Sequence, residues 1–337
     1  MSYQIGIDTL SLRPTSRLAH TEYCSNKAII RRVGEENFRE WFCLDFSWSC
    51  NDGPINWQQA GRTTDMGHAE FQEGGTDKRE TIHCPFGDVE EVYDFDAVEE
   101  YGMPDFDELV EYYENWYQEA QSANPDRVVP GGYYKTVVSG AIQAFGWDML
   151  LEAAADRERF DRVLEAIFQR SLFHYRAWAE TSIEAFICHD DMVWSAGAFM
   201  HPDFYRQSIF PRYQQLWAPL REAGKRVLYC SDGDFTEFLD DVAEAGADGF
   251  IFEPRMELET VVEKFGDTHV IMGSKVDSRT MTFGTKDDIK RQVDETLSLA
   301  FECPGFVFAV GNHIPSNIPA ENVEFYINYL KENWQRP

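Results

Sequence analysis

The sequence predicts an α/β protein folded as a single (β/α)8 TIM barrel with amino-terminal decorations. Three observations predict it. Short apolar runs alternate with stretches whose apolar residues recur at helical spacing, about 20 to 45 residues per unit, near the period of a βαβ repeat. About eight such runs can be placed from Glu40 onward, the number that closes a barrel. No Gly-x-Gly-x-x-Gly follows the first run, which disfavours a dinucleotide-binding sheet. The length of 337 residues suits one barrel domain.

Residues 1–125 are the less regular part and 126–337 the regular one. Lys27 to Phe38 reads as a short helix, and Glu40 to Trp48 as the first strand, ended by the turn residues Asn51-Asp52-Gly53-Pro54. A loop-rich stretch follows to about Phe86, and loops of that length in a compact domain are often functional. Asp88 to Glu119 carries thirteen Asp or Glu and no Lys or Arg, with Tyr and Phe interleaved. That pattern reads as a solvated amphipathic helical segment, with a docking face for a basic partner as the sharper alternative.

Arg127 to Val129 reads as a strand ending in Pro130-Gly131-Gly132-Tyr133. Phe160, Val163, Leu164 and Ile167 then line a long helix to about Glu180. Strands follow at Ile183–Cys188, Val227–Tyr229, Ala247–Phe252, His269–Met272 and Gly305–Val310. Between them, Pro202 opens one helix, with Pro211 and Pro219 bending it. Gly266 stops another, Thr285 caps a third, and Pro319 starts the last.

Lys+Arg number 30 against 59 Asp+Glu, a net charge of −29. Nucleic acid and anionic membranes are thereby disfavoured as partners, because phosphate binding needs a basic face. The seven cysteines have no framework spacing and no Cys-x-x-Cys, which fits free thiols in a reducing compartment. With no signal-peptide pattern at the start and no apolar run of about 18 residues, a cytoplasmic location is expected. A homodimer is compatible with the sequence, which does not decide it.

In a barrel of this kind the chemistry sits where strands end, on the carboxyl-terminal face. Those ends carry His189, Asp190 and Asp191, then Cys230 and Asp232, Glu253, Asp277, and Asn312 with His313. Each has a plain alternative, an Asp as helix cap or a His as satisfied core residue. Polar, metal-capable groups at five successive strand ends exceed what capping predicts. Glu253 stands directly after Phe250-Ile251-Phe252 and before Pro254, which has no N–H to be capped. Cys230, Asp232, Glu253 and His313 form a mixed S/O/N set suited to Zn2+. Without metal, Asp232 and His313 would serve as base and acid. Asp190 and Asp191 are further catalytic candidates, and His189, Trp194, Tyr133 and Arg62 candidate substrate contacts.

Several motifs resemble the uroporphyrinogen decarboxylase superfamily, which includes corrinoid-dependent methyltransferases. They are His189-Asp190-Asp191, Gly197 to Tyr205 with Phe210-Pro211, Cys230-Ser231-Asp232-Gly233, Gly284 to Asp288, Gly311 to Pro315, and Pro319 to Asn322. The resemblance implies the same barrel. Gln59-Ala60-Gly61-Arg62 is similar to part of the arginine loop with which the decarboxylases grip porphyrinogen carboxylates, but lacks the rest of it. Methyltransferase relatives bind zinc through a His-x-Cys pair at a strand end and a Cys near the last strand. Cys230 and Asp232 stand at the positions of that pair, and Asn312 or His313 near the last Cys. The expectation is a methyltransferase moving a methyl group between a small methylated substrate and a corrinoid (cobalamin) on a separate protein, with Zn2+ at the barrel mouth. The alternative is a metal-independent decarboxylase of a carboxylic acid, held by Arg62 or Arg279. A third reading is a binding subunit that docks through its acidic segment.

Overall fold

The computed structural model describes residues 2–64, 84–310 and 313–337. The Gly67-His68 and Gly74-Gly75 pairs of the long loop, and Gly311-Asn312 of the last strand-end motif, lie outside the described residues.

Seven strands form one sheet: β1 (Ala19–His20), β2 (Gly131–Tyr133), β3 (Ala185–His189), β4 (Arg226–Ser231), β5 (Gly249–Phe252), β6 (Val270–Gly273) and β7 (Phe306–Phe308). Every pair is parallel, in the order β1-β7-β6-β5-β4-β3-β2. Residues 45–51 join the two outer strands. Asp45 N donates to His20 O at 2.7 Å on the β1 side. Ser47 N donates to Val128 O and Asn51 N to Gly132 O, both at 2.9 Å, on the β2 side. This extended segment takes the place of an eighth strand and closes the ring, leaving neither outer strand as an open edge.

Two cores follow from the two-residue period of a strand. Ala185, Ile187, Leu228, Cys230, Ile251 and Met272 face the barrel axis, with Phe46 and Val128 from the closing region. The intervening residues, such as Phe186, Cys188, Val227 and Tyr229, face the helices. The helix Tyr3–Leu10, not anticipated from the sequence, packs Ile5, Ile7 and Leu10 against the axial core. Its Gly6 admits no side chain, since a Cβ there would lie 2.7 Å from Val128 and 2.9 Å from Asp45 O.

Several helices of the second half are found where the sequence places them, whereas Pro211 stands in the first turn of its helix and does not bend it. The long helix is Arg157–Ala179, capped by Asp156, and Thr285 forms a reciprocal capping box with Asp288 at the head of Lys286–Ala300. Pro202 begins a short turn that runs through a π-helical turn, Tyr205–Ile209, into the helix Phe210–Glu222. The expected first strand needs correction. Glu40 to Phe42 end the helix Glu35–Phe42, and only the part from Asp45 onward is extended. Aromatic density around Trp41 and Phe42 imitated a strand, while Phe38 and Phe42 are a helical pair with ring centroids 4.7 Å apart. Val128 makes one parallel bridge, to Phe46, and the strand proper begins at Gly131.

The acidic segment forms the helices Val89–Tyr93, Ala97–Tyr101 and Phe106–Ala123. Asp88, Asp96 and Asp105 are their N-caps, Glu90 pairs with Arg159, and Glu100 pairs with Arg62. Leu109, Tyr113 and Tyr117 are the buried face of the longest helix. The amphipathic reading thus accounts for much of the acidic charge through caps and ion pairs.

Candidate active site

The site grows out of the axial rows. In register, His189 on β3 lies beside Cys230 on β4, and Cys230 beside Ile251 on β5. Two residues further along each chain come Asp191, Asp232 and Glu253, which rise from the same face at the carboxyl ends of the strands. Among the described residues, His189, Asp191 and Asp232 each offer a ligand atom, and these atoms all lie within 4.8 Å of one another.

Asp191 is the anchored member. Its Oδ1 lies 3.2 Å from His189 Nε2 and accepts Asp232 N at 2.9 Å, and its Oδ2 accepts the Tyr134 hydroxyl at 2.9 Å. Desolvation opposes its charge, but the positive field and hydrogen bond of His189, with these donors, outweigh it and hold the carboxyl down to about 2. His189 responds in the opposite sense. Burial disfavours its cation, yet neighbouring Cys230 and Asp191 keep its proton affinity well above the ordinary value. Asp232 reaches the open mouth. Desolvation of its carboxyl, then the charges of Asp191 and Glu253, push it up to about 8. Two carboxyls with such divergent proton affinities form a pair that shares a proton or takes a cation.

The turn after Asp232 is fixed by Gly233. Its φ is +84°, and a Cβ there would lie 2.4 Å from Trp194 O. Glu253 Oε2 accepts Gly233 N at 2.9 Å, so this carboxylate braces the Asp232 turn.

The other expected site residues are placed as follows. Cys230 lies beside His189 but is sunk in the axial core, 6% exposed. His313 is buried, with its ring 5.4 Å from that of Tyr23, and is not one of the three clustered donors. The donor set thus differs from the expected Cys230, Asp232, Glu253 and His313. Asp190 turns away from the axis, accepting Val138 N at 3.1 Å, Ser139 N at 2.5 Å and the Tyr213 hydroxyl at 2.7 Å. It holds the start of the helix Val137–Ala153 and is fully buried, so this expected catalytic residue lies in the helix layer and not among the clustered donors. Tyr133 also faces the helices, stacked on His174 and accepting a hydrogen bond from Arg170. Its neighbour Tyr134 is the one beside the cluster, its ring 4.2 Å from that of His189. Strand alternation was the signal that separates these two. Trp194 is 46% exposed beside Trp147 and Phe199. Arg62 is committed to Glu100 at 3.0 Å and Glu91 at 3.6 Å, over the Phe86 ring.

The uroporphyrinogen decarboxylase family matches residues 143–333. The chain belongs to the uroporphyrinogen decarboxylase family. The match includes β3 to β7 and every clustered donor. The uroporphyrinogen decarboxylase of Pelobacter propionicus is 27% identical over 135 residues, 40% of this chain and 39% of the relative. That of Thermus thermophilus is 27% identical over 171 residues, 51% of this chain and 48% of the relative. The matched region spans less than half the length of these curated relatives. Among solved structures, a methyltransferase from Methanosarcina mazei superposes with a TM-score of 0.69 at 17% identity, covering 98% of this chain and 99% of that one. A B12-independent methionine synthase from Shewanella sp. W3-18-1 gives 0.50 at 8% identity, covering 95% and 96%. At these identities the two structures show that this family member shares their fold.

Proposed function

We propose that this chain is a methyltransferase that moves a methyl group between a small methylated substrate and a corrinoid carried on a separate protein, with Zn2+ at the barrel mouth. The observation that carries the reading is the convergence of His189, Asp191 and Asp232 donor atoms within 4.8 Å. One imidazole and two carboxylates are a donor set that zinc accepts while keeping positions open for substrate. The electrostatics support the same reading: desolvation first, then the charges of Asp191 and Glu253, push Asp232 up to about 8, and a bound cation would offset both. A bound Zn2+ would supply a Lewis acid to polarise the heteroatom that bears the methyl group.

The chain's own residues would do the rest. Tyr134 and the Asp232 backbone N–H hold Asp191 in one orientation. Glu253 braces the turn that carries Asp232. The mouth collects Asp191, Asp232 and Glu253, a field that favours a neutral or cationic substrate over a polycarboxylate. Arg62, the expected carboxylate grip, is already engaged by Glu100 and Glu91.

Metal analysis of the purified protein tests this first, with about one Zn2+ per chain expected. Asp191→Ala and Asp232→Ala should each lose most of it. Methylation of cob(I)alamin by a panel of small methylated amines and ethers, followed by the corrinoid's absorbance, tests the reaction. Full activity in metal-free protein and in both variants would remove the reading. The family match sustains a second one, decarboxylation, and carbon dioxide release from a carboxylic acid without corrinoid would put it first.

A further inference from the structure

Two cations gather on one aromatic ring beyond the end of β2. Lys135 Nζ lies 4.9 Å from the centre of the Trp57 ring, and the Arg170 guanidinium carbon lies 5.3 Å from it. Tyr101 is stacked on Trp57 at 4.0 Å with the ring planes 12° apart, so one face of the indole is taken. Both cations therefore share the side that remains. They reach it from different elements, Lys135 from the turn after β2 and Arg170 from the helix Arg157–Ala179. Burial lowers the proton affinity of Lys135, and the charge of Arg170 lowers it further, against the pull of Asp52. Asp52 Oδ1 is itself taken by Tyr134 N at 2.7 Å.

Arg170 is the anomaly. It is 1% exposed, and its Nη1 donates to the Tyr133 hydroxyl at 2.9 Å, but Nε and Nη2 have no hydrogen-bond partner among the described residues. Those two nitrogens form the edge of the guanidinium that takes both oxygens of a carboxylate or phosphate. Elsewhere in the chain the same edge is filled. Arg62 lays Nε and Nη2 on Glu100, and Arg206 lays them on Asp241. Two more buried nitrogens of this neighbourhood lack a partner, Trp57 Nε1 and, one helical turn beyond Arg170, His174 Nε2. A buried guanidinium without an anion is costly, and buried N–H groups without an acceptor mark a place where one belongs.

We propose that Arg170 and Lys135, on the open side of Trp57, bind a small oxyanion, a carboxylate or phosphate laid on the Nε–Nη2 edge. The proposal is independent of the metal site and of methyl transfer. Its field is local and opposite in sign to the chain's net charge of −29. Arg170 and Trp57 are buried and Lys135 is half-buried, so the anion enters from the lysine side and must be small.

Thermal unfolding of the full chain in sodium formate, in inorganic phosphate and in chloride at matched ionic strength tests it. The expected result is a saturable rise in Tm with formate or phosphate beyond that in chloride. Saturation by formate alone names a carboxylate as the ligand, by phosphate alone a phosphate, and by both a site for either. The apparent affinity should weaken about tenfold or more in Lys135→Gln and in Arg170→Lys, which keeps the charge but loses the fork. Should Arg170→Lys fail to fold, the half-buried Lys135→Gln decides alone. Asp232→Ala should keep the full response, and its loss there with Lys135→Gln unaffected would put the anion at the mouth and overturn the assignment. A rise that never saturates, one equal in all three salts, or one unchanged in Lys135→Gln would overturn it too.

Discussion

Three consecutive residues, His189, Asp190 and Asp191, do two different jobs because neighbouring side chains of a strand point to opposite faces. The outer two enter the mouth and the middle one enters the helix layer. Asp190 is fully buried, and desolvation pushes its carboxyl up to about 6, against the opposing hydrogen bonds of Ser139, Tyr213 and Val138. The folded protein therefore binds this proton more tightly than the unfolded chain does. The stability it contributes is fully present below about pH 4 and is lost as pH rises through about 6. Asp190→Asn lacks that titration. The stability gap between parent and variant should narrow by about 2–3 kcal/mol between about pH 4 and pH 7, measured by urea unfolding. A gap independent of pH would show that Asp190 does not titrate there. In the sequence the three residues look alike as ligands. Strand alternation would have separated them, but the register that says which parity faces the axis comes only from β3 pairing with β4.

At the scale of elements, the closing segment depends on one buried ion pair. Arg17 holds Asp45 through two contacts, 2.7 Å to Oδ2 and 2.8 Å to Oδ1, with its ring of charge over Trp334 at 4.3 Å. Asp45 also accepts His20 N at 3.0 Å, and its side chain is wholly buried. Removing one partner leaves the other charge buried and alone, at a cost of about 3–5 kcal/mol. Asp45→Ala should therefore lose that much by chemical denaturation, and a loss under about 1 kcal/mol would mean the segment is held by its backbone bonds. The second half of the chain was legible because each of its strands is an apolar run cut off by polar residues, then followed by a capped helix. The first half was not. β1 is only two residues long, below what periodicity can register. The strand-like run at Glu40–Trp48 straddles a helix end and the closing segment. Cys230 and Glu253 stand at the strand ends where the sequence places them, whereas the placement of Tyr134 beside His189 depended on seeing β2 as a neighbour of β3.

At the scale of the molecule, the net charge of −29 and the carboxylates of the mouth act in the same direction, drawing cations and repelling anions. Among the described residues no helix is long and apolar enough to cross a membrane. Ring closure itself has a consequence. The strip of backbone that seals the cylinder runs on into Asp52, so the joint it makes lies against the mouth. An ion held at the mouth would tighten that joint, because Tyr134 bonds Asp191 through its hydroxyl and Asp52 through its N–H. Hydrogen exchange at the Ser47 and Asn51 amides, which cross the joint, should slow when Zn2+ is added, while amides in the β5–β6 wall keep their rates. Equal protection of both regions would mean that the joint is already locked before any ion arrives.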